Sequence, residues 1–271
     1  MKQNKISLIA EIGWNHMGDM NLAGKMIQSA SENGADFCKF QTWSEKKLQQ
    51  GDWDHDGRRE IYKKAQLTED QHYELFQVCK KNNVKFLTSI FNIEDISFLY
   101  KLNREIIKIP SHEIGNYELI NKAVEMFDHV LISTGASKWN EVKKISDQMN
   151  MDKITLMHCV SSYPCDFKNI NIQRLVKLKE ISKNIGYSGH LFGIEDANAA
   201  ITLGANYIEK HFTIDRDLPG RDNKFALLPE DFKLISKYRD NFLDMNIFHG
   251  LDLQDCELDT YTNYRGRWSK K

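Results

Sequence analysis

Short apolar runs rich in β-branched residues alternate along this chain with longer segments whose apolar positions recur at helical spacing. The apolar runs predict eight strands: Ser7–Ile12, Asp36–Phe40, Lys85–Ser89, Glu105–Ile109, His129–Ser133, Lys153–His158, Ile185–Ser188 and Tyr207–Lys210. Helices are predicted between them, among them Leu22–Glu32, Glu69–Lys81, Ile93–Leu102 and Asn116–Met126. Such alternation is typical of a parallel sheet with crossover helices, and eight repeats favour a closed (β/α)8 TIM barrel of the α/β class.

Nothing in this pattern marks an internal domain boundary. The sequence has four prolines and no Gly/Ser-rich or low-complexity tract, so we expect residues 1–271 to form a single barrel domain with a tail from about 250 to 271. One connection, Ser44–Gln66, is long and polar and is predicted as a loop. Long connections that follow barrel strands usually cover the active site.

Charged or hydroxyl side chains end strand after strand. The active site of a barrel lies at the carboxyl ends of its strands, so these residues are site candidates. They are Glu11, Lys39, Gln41, Ser89, Lys108, Ser111, Ser133, Ser161, Tyr163, Ser188, His190, Glu209 and His211. Two lysines among several hydroxyls predict a cradle for a phosphate and a carboxylate of one small molecule.

His190 and His211 follow two successive predicted strands, which indicates two imidazoles at one barrel mouth. Glu209 and Asp222 are near them in sequence, and imidazole with carboxylate suits a divalent cation such as Mn, Zn or Fe(II). The other histidines that follow strands, His16, His112 and His158, are at least as well explained as hydrogen-bonded structural residues.

Charge and composition exclude several classes of partner. Lys plus Arg number 37 and Asp plus Glu number 38, so no basic surplus favours nucleic acid or an anionic membrane. Neither a secretory leader nor an apolar membrane span is predicted, and we expect a cytoplasmic protein. The five cysteines are odd in number and form no CxxC pair, which argues against a disulfide framework or a zinc knuckle. Cys159 and Cys165 are expected to be passive, because no base is spaced beside them.

Several segments, in order along nearly the whole chain, resemble the sialic acid synthase (N-acetylneuraminate synthase) family. They are Ile9–Gly18, Gly34–Gln41, Ser133–Gly135, His158–Pro164, Gly186–His190, Ile208–Thr213 and Pro219–Asp222. The resemblance implies a TIM barrel that condenses phosphoenolpyruvate with the open-chain aldehyde of an N-acylated hexosamine, typically N-acetylmannosamine. The products would be a 2-keto-3-deoxy nonulosonic acid and inorganic phosphate. A divalent metal is also implied, commonly Mn²⁺, with Mg²⁺, Co²⁺ or Zn²⁺ as alternatives.

Carried over position by position, the resemblance implies metal ligands at His190 and His211 and an assisting carboxylate at Glu11. Together with Glu11, Lys39 and Lys108 are the predicted catalytic residues. The implied phosphoenolpyruvate contacts are Lys39, Gln41, Ser89, Lys108, Ser111, Ser133 and Ser188, and the implied sugar contacts are Tyr163, Glu209 and Asp222. Ser161 stands where the family often has Asn or Ser.

Two departures from the family pattern affect these expectations. The family typically has Asp where this chain has Gly189, so a carboxylate beside a metal ligand is expected to be missing. Typical members also continue into a small antifreeze-like domain that closes the sugar site of the partner subunit. This chain stops at Tyr264–Lys271, which resembles the linker to that domain. We therefore expect a homodimer, or a separate protein that supplies the lid.

The acceptor sugar is left open by the sequence. Modified hexosamines of the legionaminic or pseudaminic type, or another aldose or aldose phosphate, are alternatives to N-acetylmannosamine. An extra anionic group on the acceptor would find candidate partners in four arginines: Arg58, Arg59, Arg216 and Arg221. Two other functions stay open as well, a degenerate non-catalytic paralogue or partner subunit, and a metal-dependent aldolase.

Overall fold

A computed structural model describes residues 5–268 of the protein, apart from the side chain of Trp53. Within this range eight parallel strands close into a barrel, each strand pairing with its neighbours in chain order. The strands are β1 (Ser7–Glu11), β2 (Phe37–Thr42), β3 (Lys85–Ile90), β4 (Ile106–Ile109), β5 (His129–Ser133), β6 (Ile154–Cys159), β7 (Ile185–Gly189) and β8 (Tyr207–His211). The predicted TIM barrel is confirmed, and each predicted strand lies within two residues of its observed bounds.

Nine helices lie among the described residues. They are α1 (Met20–Glu32), α2 (Arg58–Ala65), α3 (Glu69–Lys81), α4 (Ile96–Leu102), α5 (Tyr117–Met126), α6 (Trp139–Gln148), α7 (Gln173–Leu178), α8 (Glu195–Thr202) and α9 (Pro229–Met245). Local sequence fixes several starts: the Asp19 carboxylate accepts from Leu22 N at the start of α1, and Thr68 and Gln71 form a capping box on α3. No helix in the described range is long and apolar enough to cross a membrane.

The barrel interior is filled by an apolar cluster of six buried side chains, against which the Tyr207 ring packs. Its members are Ile9, Phe37, Leu87, Ile106, Leu131 and Met157. Side chains alternate between the two faces of a strand, so the residue two positions further along points to the same interior. Those following residues are Glu11, Lys39, Ser89, Lys108, Ser133 and Cys159. A polar layer therefore lies directly above the apolar cluster at the carboxyl end of the barrel.

The long connection after β2 was predicted as a polar loop, but residues 58–65 within it form helix α2. This helix packs through its apolar side onto the barrel mouth. The Tyr62 ring lies 5.0 Å from the Trp14 ring and 5.2 Å from the Trp43 ring, and Trp43 Nε1 donates to Tyr62 O at 3.0 Å. Burial of these aromatic rings explains a helix that its charged sequence does not suggest.

The tail predicted from about residue 250 lies on the surface. Every side chain from Asp244 to Trp268 is exposed. The first four residues and residues 269–271, which include part of the basic segment that resembles a linker, lie outside the described range.

We predict that Leu131→Ala lowers the free energy of unfolding by about 2–5 kcal/mol, because Leu131 is fully buried in the interior cluster and the truncation leaves a cavity. Denaturant unfolding measures the change. The matched control Leu234→Ala removes the same atoms from a side chain that is 53% exposed and should change stability by less than about 0.5 kcal/mol. Equal losses in the two variants would contradict the assignment of Leu131 to the core.

Candidate active site at the barrel mouth

Two lysines and two glutamates form a buried charge cluster above the apolar cluster. Lys39 Nζ lies 2.8 Å from Glu11 Oε2 and 3.5 Å from Glu209 Oε1. Lys108 Nζ lies 2.7 Å from Glu209 Oε2. None of the four residues is more than 5% exposed. Glu209 thus links the two lysines, and we call these four residues the charge cluster.

Polar side chains from neighbouring strands surround the charge cluster. Lys39 Nζ donates to Ser89 Oγ at 2.8 Å, and Ser188 Oγ donates to Glu209 Oε1 at 3.1 Å. Gln41 Nε2 donates to the Glu11 carboxylate. Ser133 is 2% exposed and its Oγ has no hydrogen-bond partner among the described residues. The structure therefore places these four predicted contact residues around the two lysines, and leaves the Ser133 hydroxyl available for a ligand.

The two carboxyl groups of the charge cluster differ in pKa. Burial raises the pKa of Glu11, and the charge of Glu209 adds to the rise, so that the attraction of Lys39 offsets only part of it. Burial would also raise the pKa of Glu209, but the charges of Lys108 and Lys39 outweigh it and lower this pKa to about 2. Glu209 is thus a fixed anion, whereas Glu11 can exchange a proton nearer to neutral pH.

A gap beside the charge cluster is kept open by Gly135, which follows β5. A Cβ at this position would lie 2.5 Å from Ser161 Oγ, 2.8 Å from Ser111 Oγ and 3.0 Å from Cys159 Sγ. Gly135 N donates to Ser111 Oγ at 3.2 Å. Ser111 and Ser161, both predicted site residues, therefore meet at a small space that any side chain at position 135 would fill.

Sequence reasoning missed Gly135 and Cys159 as parts of this site. Cys159 Sγ lies 3.4 Å from Ser111 Oγ and 4.0 Å from His190 Nδ1. Burial would raise the pKa of the Cys159 thiol, but the neighbouring His190 lowers it overall. No base is next to Cys159 in the sequence, but the fold brings the His190 imidazole, which follows β7, beside this thiol. The position of Cys159 two residues after the interior residue Met157 was the available signal.

His190 and His211 converge at the mouth under the side chain of Tyr163. The two imidazole ring centroids are 5.4 Å apart, and the Tyr163 ring lies 4.1 Å from the His190 ring. His211 Nδ1 lies 3.5 Å from Asp222 Oδ2. Burial raises the pKa of Asp222 to about 7, and the charge of Glu11 contributes. The four residues, each singled out in the sequence, thus form one face of the site.

These residues fit a divalent cation held by two imidazoles. His190 Nδ1 lies 2.7 Å from Val160 O, so it carries the proton and Nε2 keeps its lone pair for a metal. The buried Nδ1 of His211 has no hydrogen-bond partner among the described residues. No set of three His, Cys, Asp or Glu side chains in residues 5–268 is arranged around a metal position.

Gly189 does not face this site, which corrects the expectation that it removes a carboxylate next to the metal ligands. A Cβ on Gly189 would point outward between strand and helix, 2.4 Å from Asp196 Oδ2 and 2.5 Å from Tyr187 Cε1. The alternation of side chains along β7 is the reason, since Ser188 points inward. A carboxylate, that of Asp196, already occupies the space beside Gly189.

The three histidines interpreted as structural have contacts consistent with that role. His16 Nδ1 accepts from Gly18 N at 3.0 Å, and His158 Nε2 lies 2.8 Å from Ile170 O. The His112 ring lies 4.9 Å from the Phe91 ring, tilted by 44°. Burial lowers the pKa of His16 and of His112 to about 4, so both are neutral at pH 7.

The four arginines considered as partners for an anionic acceptor are all engaged by carboxylates. Their ion pairs are Arg58 with Asp56, Arg59 with Glu45 and Asp54, Arg216 with Asp231, and Arg221 with Asp56. An anionic group on the acceptor would have to compete with these pairs for a cation.

Comparison with known proteins adds independent observations. The sequence pattern of the NeuB family matches residues 26–245. The chain is 35% identical over 248 residues to N,N'-diacetyllegionaminic acid synthase of Campylobacter jejuni, a match that covers 85% of this chain and 74% of that protein. It is 34% identical over 256 residues to N-acetylneuraminate-9-phosphate synthase of Drosophila melanogaster, covering 88% of this chain and 68% of that protein.

A solved structure extends the similarity to three dimensions. The N-acetylneuraminic acid synthetase of Leptospira borgpetersenii, crystallised with citrate, superposes with a TM-score of 0.87 at 29% identity. The superposition covers 99% of this chain and 94% of that one.

The pKa of Asp222 predicts a pH dependence of stability in the metal-free protein. Its folded pKa of about 7 lies above the 3.8 of an unperturbed aspartate, so its contribution to stability is fully present below pH 4 and is lost as the pH rises through 7. The stability advantage of wild type over Asp222→Asn should therefore fall by as much as about 4 kcal/mol between pH 4 and pH 8. Urea unfolding at several pH values measures it. The exposed control Asp217→Asn should follow the wild-type curve, and parallel curves for wild type and Asp222→Asn would contradict the shift.

Proposed function

Because the chain belongs to the NeuB family, we propose that it condenses phosphoenolpyruvate with an open-chain aldose, giving a 2-keto-3-deoxy nonulosonic acid and inorganic phosphate. The resemblance noted in the sequence is confirmed at the level of the family. Two relatives are named as synthases of legionaminic acid and of N-acetylneuraminate 9-phosphate, which supports this class of product. The observation that carries the proposal is the charge cluster beside two converging histidines at one barrel mouth.

Phosphoenolpyruvate would bind at the charge cluster. The ammonium groups of Lys39 and Lys108 offset the charges of its phosphate and carboxylate, because buried cations interact strongly with anions in a site that excludes water. In the free protein Glu11 and Glu209 compensate these two cations. The unpaired hydroxyl of Ser133 would add a directional hydrogen bond to the ligand.

The aldose would bind at the histidine face. His190 and His211 would hold a divalent cation, for which manganese is our first choice, and when bound it would polarise the aldehyde oxygen as a Lewis acid. Tyr163 and Asp222 border the histidines and would orient the sugar. This arrangement directs the aldehyde carbon towards the enol carbon of phosphoenolpyruvate, between which the new C–C bond forms.

Glu11 would serve the second half of the reaction. After the C–C bond forms, C2 of the former phosphoenolpyruvate is electron-deficient and takes up a water molecule. Glu11, with its raised pKa and its contact to Lys39, would accept the proton that this water loses. Cleavage of the C2–O bond to phosphate then yields the keto acid, while Lys39 and Lys108 stabilise the departing phosphate.

We place the acceptor among hexosamines that carry no phosphate. The four arginines that could meet an extra anionic group are each paired with a carboxylate in the described structure. An N-acylated mannosamine or a modified hexosamine of the legionaminic type could bind without breaking any of these ion pairs. The similarity to the N,N'-diacetyllegionaminic acid synthase of Campylobacter jejuni supports this choice.

The test is phosphate release from phosphoenolpyruvate with Mn²⁺ present, across N-acetylmannosamine, its 6-phosphate, modified hexosamines and simple aldoses, with mass detection of the product. We expect release that requires a neutral hexosamine and stops when a chelator is added. A preference for the 6-phosphate would overturn the choice of acceptor alone. A folded protein that binds neither Mn²⁺ nor phosphoenolpyruvate would overturn the proposed function.

Variants of the histidine face test the metal site. His211→Ala should remove Mn²⁺ binding and lower kcat by at least about 100-fold, because one of two protein ligands is lost. Calorimetry measures the affinity and phosphate release measures kcat. His249→Ala, which alters an exposed histidine of the tail, is the control and should behave as wild type. Unchanged Mn²⁺ affinity in His211→Ala would remove this residue from the site.

A further inference from the structure

A second buried ion pair lies behind the histidine face, between the barrel and helix α8. Lys210 on β8 and Asp196 on α8 are 2% and 3% exposed. Lys210 Nζ donates to Asp196 Oδ1 at 2.9 Å, to Asp196 Oδ2 at 2.8 Å and to Leu191 O at 2.9 Å. Tyr187 OH donates to Asp196 Oδ2 at 2.9 Å. We call Lys210, Asp196 and Tyr187 the outer triad.

Burying such a pair is costly, and the outer triad is built to offset that cost. All three N–H donors of the Lys210 ammonium have acceptors, and each oxygen of the Asp196 carboxylate accepts from Lys210. An apolar pair of similar volume would often be as stable at such a place. The position of the triad therefore points to a task other than stability.

The third acceptor of the Lys210 ammonium, the carbonyl of Leu191, indicates what the triad does. The register between β7 and β8 ends at the pair Gly189 and Lys210. Beyond it no ladder hydrogen bond within residues 5–268 joins β8 to the segment that carries His190, whose carbonyl accepts from Cys165 N at 2.9 Å on the other side. Lys210 Nζ replaces the missing ladder by binding Leu191 O, the carbonyl directly after His190. One side chain thus joins the backbone next to His211 to the backbone next to His190.

The lack of a side chain at Gly189 is part of the same arrangement. A Cβ there would lie 2.4 Å from Asp196 Oδ2 and 3.1 Å from Lys210 Cδ, so any other residue would displace the triad. The side chains of Asp196, Tyr187 and Lys210 thus occupy the space that a side chain at position 189 would need. The triad and the histidine-bearing end of β7 are therefore built to fit each other.

We propose that Lys210, held by Asp196 and Tyr187, is a positioning residue that fixes the His190 imidazole relative to His211. It acts through the backbone of residues 190 and 191 and touches no substrate. Loss of the triad lets this segment move, so that the hydrogen bond from His190 Nδ1 to Val160 O is no longer held. As far as it concerns metal binding, the inference rests on the proposed function.

The experiment compares Lys210→Met, Asp196→Leu and the double variant with wild type. Replacing both partners by apolar residues removes the unpaired buried charge that either single change leaves, so the double variant should regain much of the lost stability. The placement of the His190 imidazole is measured separately, in metal-free protein, by its ¹⁵N chemical shifts, which report which ring nitrogen carries the proton. The His190 signals are assigned by their loss in His190→Gln. Mn²⁺ affinity and the kcat and KM for phosphoenolpyruvate complete the set.

We expect wild type to show the Nδ1-protonated tautomer of His190, and the double variant to show a mixture of tautomers. The double variant should bind Mn²⁺ about 10- to 100-fold more weakly and lose kcat by a similar factor, as is usual for groups that orient metal ligands. The KM for phosphoenolpyruvate should stay near the wild-type value, because the charge cluster is untouched. A stable double variant with an unchanged His190 spectrum would overturn the inference.

Two further measurements distinguish a failure of the proposed metal site from a failure of the positioning role. A wild-type protein that binds no Mn²⁺ would count against the proposed metal site, while the metal-free His190 spectrum would still decide the positioning role. If the double variant does not fold, Asp196→Asn keeps the side-chain volume, and an unchanged His190 spectrum in it would again overturn the inference. Asp36→Asn, which weakens the ion pair with Arg239 at the opposite end of the barrel, is the control and should leave His190 unchanged.

Discussion

The structure depends on how two buried ammonium groups are accommodated at the mouth of the barrel. Lys39 and Lys108 stand directly above an apolar cluster, where an isolated charge would be very unfavourable. Glu209 lies between them and, with Glu11, compensates both. A cluster of this kind is stable without a ligand and still presents cations to one. This balance defines where an anionic substrate can bind.

Strand β8 also carries a charged side chain on its outer face. On β8, Glu209 and His211 point into the barrel, whereas Lys210 points outward to Asp196. Alternation along one strand thus separates the residues that would meet substrate from the residue that we infer holds them in place. The segment of His190 is contacted from both sides, by Lys210 through the Leu191 carbonyl and by Val160 and Cys159 at the imidazole.

The pattern of apolar and polar residues was sufficient to predict the strands, because parallel barrel strands are short apolar runs bounded by polar turns. It failed for α2, whose charged sequence is helical only because Tyr62 packs on Trp14 and Trp43. It failed also for Gly189, since the resemblance suggested a role at the metal while the strand geometry turns this position outward. Both errors arose where a neighbouring element decides what a residue contacts.

The sequence by itself determined the barrel, the family and the set of polar residues at the carboxyl ends of the strands, because these follow from periodicity and from motifs. Only the tertiary structure decided which of these residues touch: that Glu209 joins two lysines, that Cys159 lies beside His190, and that Asp196 occupies the space next to Gly189. The physical reason is that each contact joins different strands or a strand and a helix. Their distances are set by barrel closure, which no local pattern encodes.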